Sequence, residues 1–242
     1  MKTFSIILVS VVSGAIAGVS LGLMNLGIVE PILDRAIEIE VQNTITNGET
    51  IDEQEIQSYR IWQKSGQIVA GIVLGLSFGA LLGITFIYGR KLLPGSNNQK
   101  KAMVLVGIIW LVIFMIPALK YPANPPTVGD PETIYERQNL YIIFTMISGF
   151  IALALAFLYQ KIDGKPLRKF LIVSIIYSGL MGGAFVLIPN NPDVISAPID
   201  LVQEFRVASG FSMSVFWLVL GLLFGSMWER LKPHGAQKIP TI

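Results

Sequence analysis

Glu30, Asp34 and Glu38 stand four residues apart, with Gln42 one step further along. On a helix that spacing stacks them along one side, where three carboxylates would offer oxygen ligands to a divalent cation. The same stripe is also what the solvated face of a helix end looks like, and composition does not choose between the two. Carboxylates this close repel one another unless water, Arg35, Arg60 or a bound cation offsets them. Late first-row divalent ions favour imidazole, yet the chain has one histidine, His234, in its tail, and no cysteine. Thiolate sites, disulfides and Cys nucleophiles are thereby excluded. There is no Ser-His-Asp set, no His-Glu-x-x-His helix and no phosphate loop, so no enzyme and no tightly bound cofactor is expected. A divalent cation would be substrate.

These side chains need elements to hold them, and composition dictates which. The 242 residues are 52% hydrophobic and 14% charged, with a mean hydropathy of +0.63. Six stretches carry no Asp, Glu, Lys, Arg or His: 5–29, 66–88, 102–119, 140–159, 170–188 and 207–228. Each approaches the roughly 20 residues that cross a hydrocarbon core. In lipid the backbone must satisfy its own hydrogen bonds, so each is expected to be helical. The expected fold is all-α, a polytopic membrane protein of six spans forming one integral membrane domain over 1–242. The start imitates a signal peptide, with Lys2, an apolar run and Ala15-Ile16-Ala17, but the run continues to Val29 and reads as a retained first span. Pro31 is expected to mark the membrane exit. The segment 30–65 then reads as an outer helical hairpin, turning near Thr46-Asn47-Gly48, with Thr50 and Glu53 at capping-box spacing for the returning helix. Tyr59 and Trp62 sit where that arm meets the headgroups.

Glycine supplies the packing signal. Gly14, Gly18 and Gly22 recur every four residues in span one, and Gly71, Gly75, Gly79 and Gly83 do so in span two. Such ladders let helix backbones approach closely in lipid, so the two spans are expected to bury these faces against each other, although a homodimer could use the same faces. Gly179 with Gly183, and Gly221 with Gly225, repeat the spacing in spans five and six. Trp110 and Trp217 lie at mid-span and are expected to pack between helices. Asn25, beside Met24, is expected to hydrogen-bond another helix. Spans three and five both close on Ile-Pro, at Ile116-Pro117 and Ile188-Pro189, and lead into loops rich in Pro and Asn. Glu136-Arg137 precede span four, Glu204 and Arg206 precede span six, and Glu55 and Arg60 precede span two. The outline suggests three hairpins in parallel orientation. Arg137 and Arg206 are expected to pair with Glu136, Glu204 or other local acids and pin the outer loops. Lipid phosphate or a substrate anion is the other partner their chemistry allows.

Charge sets the orientation. Twelve Lys and Arg fall in the amino terminus, the tail and the segments after spans two and four; six fall in the alternate segments. Both termini are therefore expected to be cytoplasmic, in a cell membrane. Of the 16 acidic residues, 14 fall on the opposite, outer side, leaving it net −8. That face would concentrate cations before any specific binding. No basic tract points to nucleic acid.

The first-helix exit EPILDRAIEIE, the loop PANPPTVGDPETIYER and the closing FRVASGFSMSVFWLVLGLLFG resemble the CbtA family of predicted cobalt-transporter subunits. The likeness covers nearly the whole chain. Its landmarks are Glu30-Pro31-Ile32 with Glu38 and Glu40, Pro125-Pro126 with Asp130, Pro131 and Arg137, and Phe205-Arg206 followed by Trp217 and Gly221. The resemblance implies a multi-pass component of a cobalt uptake system, working with a small histidine-bearing membrane subunit. From the residues themselves two functions stay open: a transport subunit recruiting a divalent cation at Glu30, Asp34 and Glu38, or an assembly protein that scaffolds a partner subunit, or a second copy of itself, through glycine faces. The orientation is tested with single cysteines in this cysteine-free chain. Thr50→Cys should be labelled only from outside and Ser96→Cys only from the cytoplasm, and the reverse pattern overturns it.

Overall fold

The computed structural model describes residues 3–48, 50, 52–126, 128–193, 195 and 197–233. His234 and Lys2 lie outside them. Six helices are long and apolar enough to cross a membrane. They are α1 (Thr3–Thr46), α2 (Glu53–Gly89), α3 (Asn98–Lys120), α4 (Ile134–Lys161), α5 (Pro166–Leu187) and α6 (Ile199–Leu231). The chain is an all-α membrane protein. Its two ends differ in charge, and the loops 30–65, 120–139 and 189–206 form the acidic end.

Proline does not break the first helix. The chain runs through Pro31 as helix to Thr46, by way of a π-helical turn at Asn25–Val29 in which the Glu30 N–H bonds back five residues to the Asn25 carbonyl. The same device carries α3 through Pro117: a π turn at Trp110–Met115 places the Ile116 N–H on the Leu111 carbonyl. Proline has no N–H and its ring crowds the preceding turn, so a locally wider helix is a way to continue past it. In that register the Val112 carbonyl would look to residue 117, which has no donor. Ser148 of α4 supplies one, its hydroxyl donating to that carbonyl at 2.6 Å, and Tyr177 of α5 lies 2.7 Å from the same hydroxyl. Span five behaves differently. It stops at Leu187, and Ile188 turns extended before Pro189.

The 17 residues from Glu30 to Thr46 project about 25 Å beyond the span at 1.5 Å each. Asp52 begins the returning helix, its carboxylate accepting from the Gln54 N–H at 2.9 Å. That capping place had been expected at Thr50. Along the membrane, α1 and α2 run antiparallel at backbone contact: Gly14 faces Gly75 and Gly18 faces Gly71. A Cβ on Gly18 would lie 2.8 Å from Ile72 Cα, and one on Gly75 would lie 2.9 Å from Gly18 Cα. Gly22 meets Ile68, Gly79 meets Ser10 and Gly14, and Gly83 meets the Ser10 side chain.

The remaining helices do not keep to sequential hairpins. The first half of α3 packs on α6, where Gly225 lets Gln99 Cα come within 3.0 Å of a Cβ position and Gly221 takes the Met103 thioether. Beyond its π turn α3 leaves α6 for α4, and α4 carries α5. Helices α5 and α6 make at most marginal contact, and Gly179 and Gly183 meet nothing within reach. One core of Phe86, Phe216, Trp217, Phe224 and Trp228 thus joins α1, α2, α3 and α6, and a second of Tyr121, Phe144 and Met181 joins α3, α4 and α5. Trp110 donates to Ser214 at 3.3 Å, whereas Trp217 packs on Phe78 with no hydrogen-bond partner for its indole among the described residues.

The glycine contacts make a graded prediction. Gly18→Ala and Gly75→Ala should each destabilise the protein by about 1–3 kcal/mol, since the Cβ meets backbone that cannot yield without separating the helices. Gly107→Ala and Gly149→Ala, where nothing lies within 4 Å, should not. Thermal unfolding in detergent reads both, and equal melting of all four variants overturns the contact.

Candidate functional site

The acidic stripe meets its counterions on the returning arm of its own hairpin. Arg60 of α2 donates through Nη2 to Glu30 and, at 2.6 Å, to Asp34, while its Nη1 reaches Gln63. Lys64, one turn on, lies 3.0 Å from Asp34 and 3.8 Å from Glu30, and Gln67 donates to the other Glu30 oxygen. The i, i+4 spacing of Glu30 and Asp34 is answered by that of Arg60 and Lys64, so two helices present matching charge ladders. Burial divides the set. Glu30 is 3% exposed, whereas the Asp34 and Lys64 side chains are 51% and 40% exposed. Glu38 is exposed one turn beyond. Burial alone would raise the Asp34 carboxyl, but hydrogen bonds and charge from Arg60 and Lys64 outweigh it and hold the group below the usual aspartate value.

The hairpin is also docked sideways. Val29, Ile32, Leu33 and Ala36 of α1 pack on Leu201 and Ala208 of α6, and Arg35 pairs with Glu204 above them. The loop arginines reach across segments. Arg137 places Nε 2.8 Å from Asp193 and donates to the Asp130 carbonyl at 3.0 Å; Glu136 is exposed. Asp193 also accepts from Thr133 at 2.6 Å, so it ties the loop after α5 to the start of α4. Gly129, at φ 111°, leaves the room this pair fills. Arg206 donates twice to Asn124, at 2.7 and 3.2 Å, and pairs with neither Glu204 nor any other carboxylate among the described residues. Lys120 is buried against the Phe185 carbonyl and Asn190.

Where α3 parts from α6, a cleft of about 990 Å³ opens between α3, α4, α6 and the proline-rich loop. Leu119, Tyr141, Val207 and Phe211 make it largely apolar, with Asn124, Arg137 and Arg206 at its acidic-end rim.

Over residues 3–229 the chain matches the family model described as "Probable cobalt transporter subunit (CbtA)". The chain belongs to the CbtA family. No curated protein and no solved structure matches it. The family description makes this CbtA protein a membrane component of cobalt transport. Among the described residues no three His, Asp or Glu side chains converge as a closed metal site would require: the structure joins Glu30 and Asp34 through Arg60 and leaves Glu38 apart. Sequence reasoning missed Gln67, Asn124, Lys120 and Asp193. Asp193 is the only carboxylate between Pro189 and Ile199, which was the available signal for it; the neutral partners carry none.

Two outcomes follow for the ladder. Removing Arg60 strands a buried carboxylate, so Arg60→Met should cost about 3 kcal/mol, and pairing it with Glu30→Gln should recover much of that. Asp34, held below its unfolded value, contributes stability that is present above about pH 4 and lost as pH falls through the folded value. The melting difference between wild type and Asp34→Asn should therefore shrink on acidification from about pH 6 to pH 3. A constant difference, or an Arg60→Met that melts like wild type, contradicts the network.

Proposed function

We propose that this CbtA chain recruits cobalt, or a divalent cation like it, at its acidic end, and passes it to a site completed by another membrane subunit. Membership of the family supports transport. Exposure supports the place: Glu38, Glu40, Asp52, Asp130, Glu132 and Glu136 all face solvent at that end, where their summed field raises the local cation concentration. The acidic end is outside and both termini are cytoplasmic in this reading.

The observation that carries it is the unequal burial within the ladder. An exposed pair such as Asp34–Lys64 is worth little in water and exchanges readily, whereas the buried Glu30–Arg60 pair is costly to part. An arriving cation meets Glu38 and displaces Lys64 from Asp34, while Glu30 stays with Arg60 and holds the hairpin closed. Carboxylates alone select poorly among divalent ions, so nitrogen ligands from a partner give the specificity. Assembly, the alternative role, is favoured by α5, where a Cβ on Gly179 or Gly183 would meet nothing within 4 Å among the described residues.

Uptake by cells separates the two. Asp34→Asn combined with Glu38→Gln should slow cobalt entry at low concentration while insertion stays intact and melting in metal-free buffer falls no further than in Asp34→Asn alone. Uptake equal to wild type in that variant, with loss in Gly179→Leu, would leave assembly as the function.

A further inference from the structure

The cleft between α3, α4 and α6 has the build of a lipid site. Its rim carries two arginines and, among the described residues, none of its lining is acidic, at an end of the molecule otherwise rich in carboxylates. A cation is the wrong occupant for it. Arg137 is offset by Asp193, but Arg206 meets only the neutral amide of Asn124 among the described residues, so its charge is uncompensated. Arg206 also stands immediately before the uncharged run of α6, at headgroup depth. From there the cleft descends along α6 to Ser214, eight residues or about 12 Å lower, past Leu119, Val207 and Phe211. These three are 63%, 72% and 54% exposed, so the wall below the arginine is apolar and open to the bilayer.

We propose that this cleft binds one glycerophospholipid, with its phosphate on Arg206 and an acyl chain against Leu119, Val207 and Phe211. Arginine suits the phosphate because its planar fork can donate two parallel hydrogen bonds while keeping its charge. The chain's own geometry explains why the site exists. The π turn in α3 directs Phe114 to Leu119 away from α6, and the wedge left behind lies in the membrane, where lipid is the abundant filler. Basic pockets between membrane helices bind headgroups on the same principle.

The test uses the full chain purified in a phosphate-free detergent. Dioleoyl phosphatidylglycerol and dioleoyl phosphatidylcholine should each raise Tm by about 5 °C near saturation, dioleoylglycerol and inorganic phosphate by much less. Arg206→Gln should abolish the phospholipid shift. So should Gly210→Phe, which keeps the arginine but fills the cleft at a position where nothing lies within 4 Å of a new Cβ. Native mass spectrometry of protein extracted from membranes should show one retained phospholipid in wild type and none in Gly210→Phe. The proposal is overturned if dioleoylglycerol or inorganic phosphate matches the phospholipids, or if Gly210→Phe folds and keeps both the shift and the retained lipid.

Discussion

Inside a bilayer no water takes up a hydrogen bond that the backbone fails to make, and two prolines sit within helices of this chain. At Pro117 the helix widens to a π turn, the Val112 carbonyl loses its internal donor, and Ser148 brings α4 in to satisfy it. That hydrogen bond fixes more than one carbonyl. It is the point at which α3 exchanges one neighbour for another, so the bundle divides into a tight group of α1, α2 and α6 with the first half of α3, and a looser group of α4 and α5. The cleft is the geometric remainder of this exchange.

In the tight group, glycine replaces the hydrophobic effect, which offers little between helices already in lipid. Backbone contact at Gly14–Gly75 and Gly18–Gly71 aligns α1 with α2 closely enough that, a few turns further, Glu30 and Asp34 arrive opposite Arg60 and Lys64. The register of the charge ladder is thus set by the register of the glycine ladder. Moving either helix by one turn would leave Glu30 buried without its guanidinium. Packing on α6 and the Arg35–Glu204 pair then keep the projecting hairpin from swinging free.

The loose group presents the opposite character. Helix α5 touches the rest of the chain chiefly through α4, with Lys120 reaching the Phe185 carbonyl in its last turn and Tyr121 the Pro189 carbonyl just beyond its end. The carboxylates at the acidic end, the exposed Asp34–Lys64 pair and the α5 face that carries Gly179 and Gly183 lie on this same framework.

Sequence alone determined that the chain crosses a membrane as six helices, because runs free of charge can satisfy their backbone in lipid only that way, and it pointed to the CbtA family. It also marked Glu30 and Asp34 and named Arg60 among the charges that could offset them. It could not decide whether those carboxylates attract a metal or an arginine, since i, i+4 spacing describes one helix and the answer lies on another. Pro117 looked like the end of a span because local propensity treats proline as a breaker, whereas Pro31 marked only the membrane exit; a π turn before each, with a donor from a distant helix at Pro117, carries both helices on. Arg137 and Arg206 had acidic neighbours in the chain, yet they turned to Asp193 and Asn124, whose positions depend on how three loops meet. Gly179 and Gly183 carried the same pattern as Gly14 and Gly18, and tertiary structure gave a partner to one pair and none to the other. A small-residue face permits close approach, but which helix arrives is decided by the packing of the whole bundle.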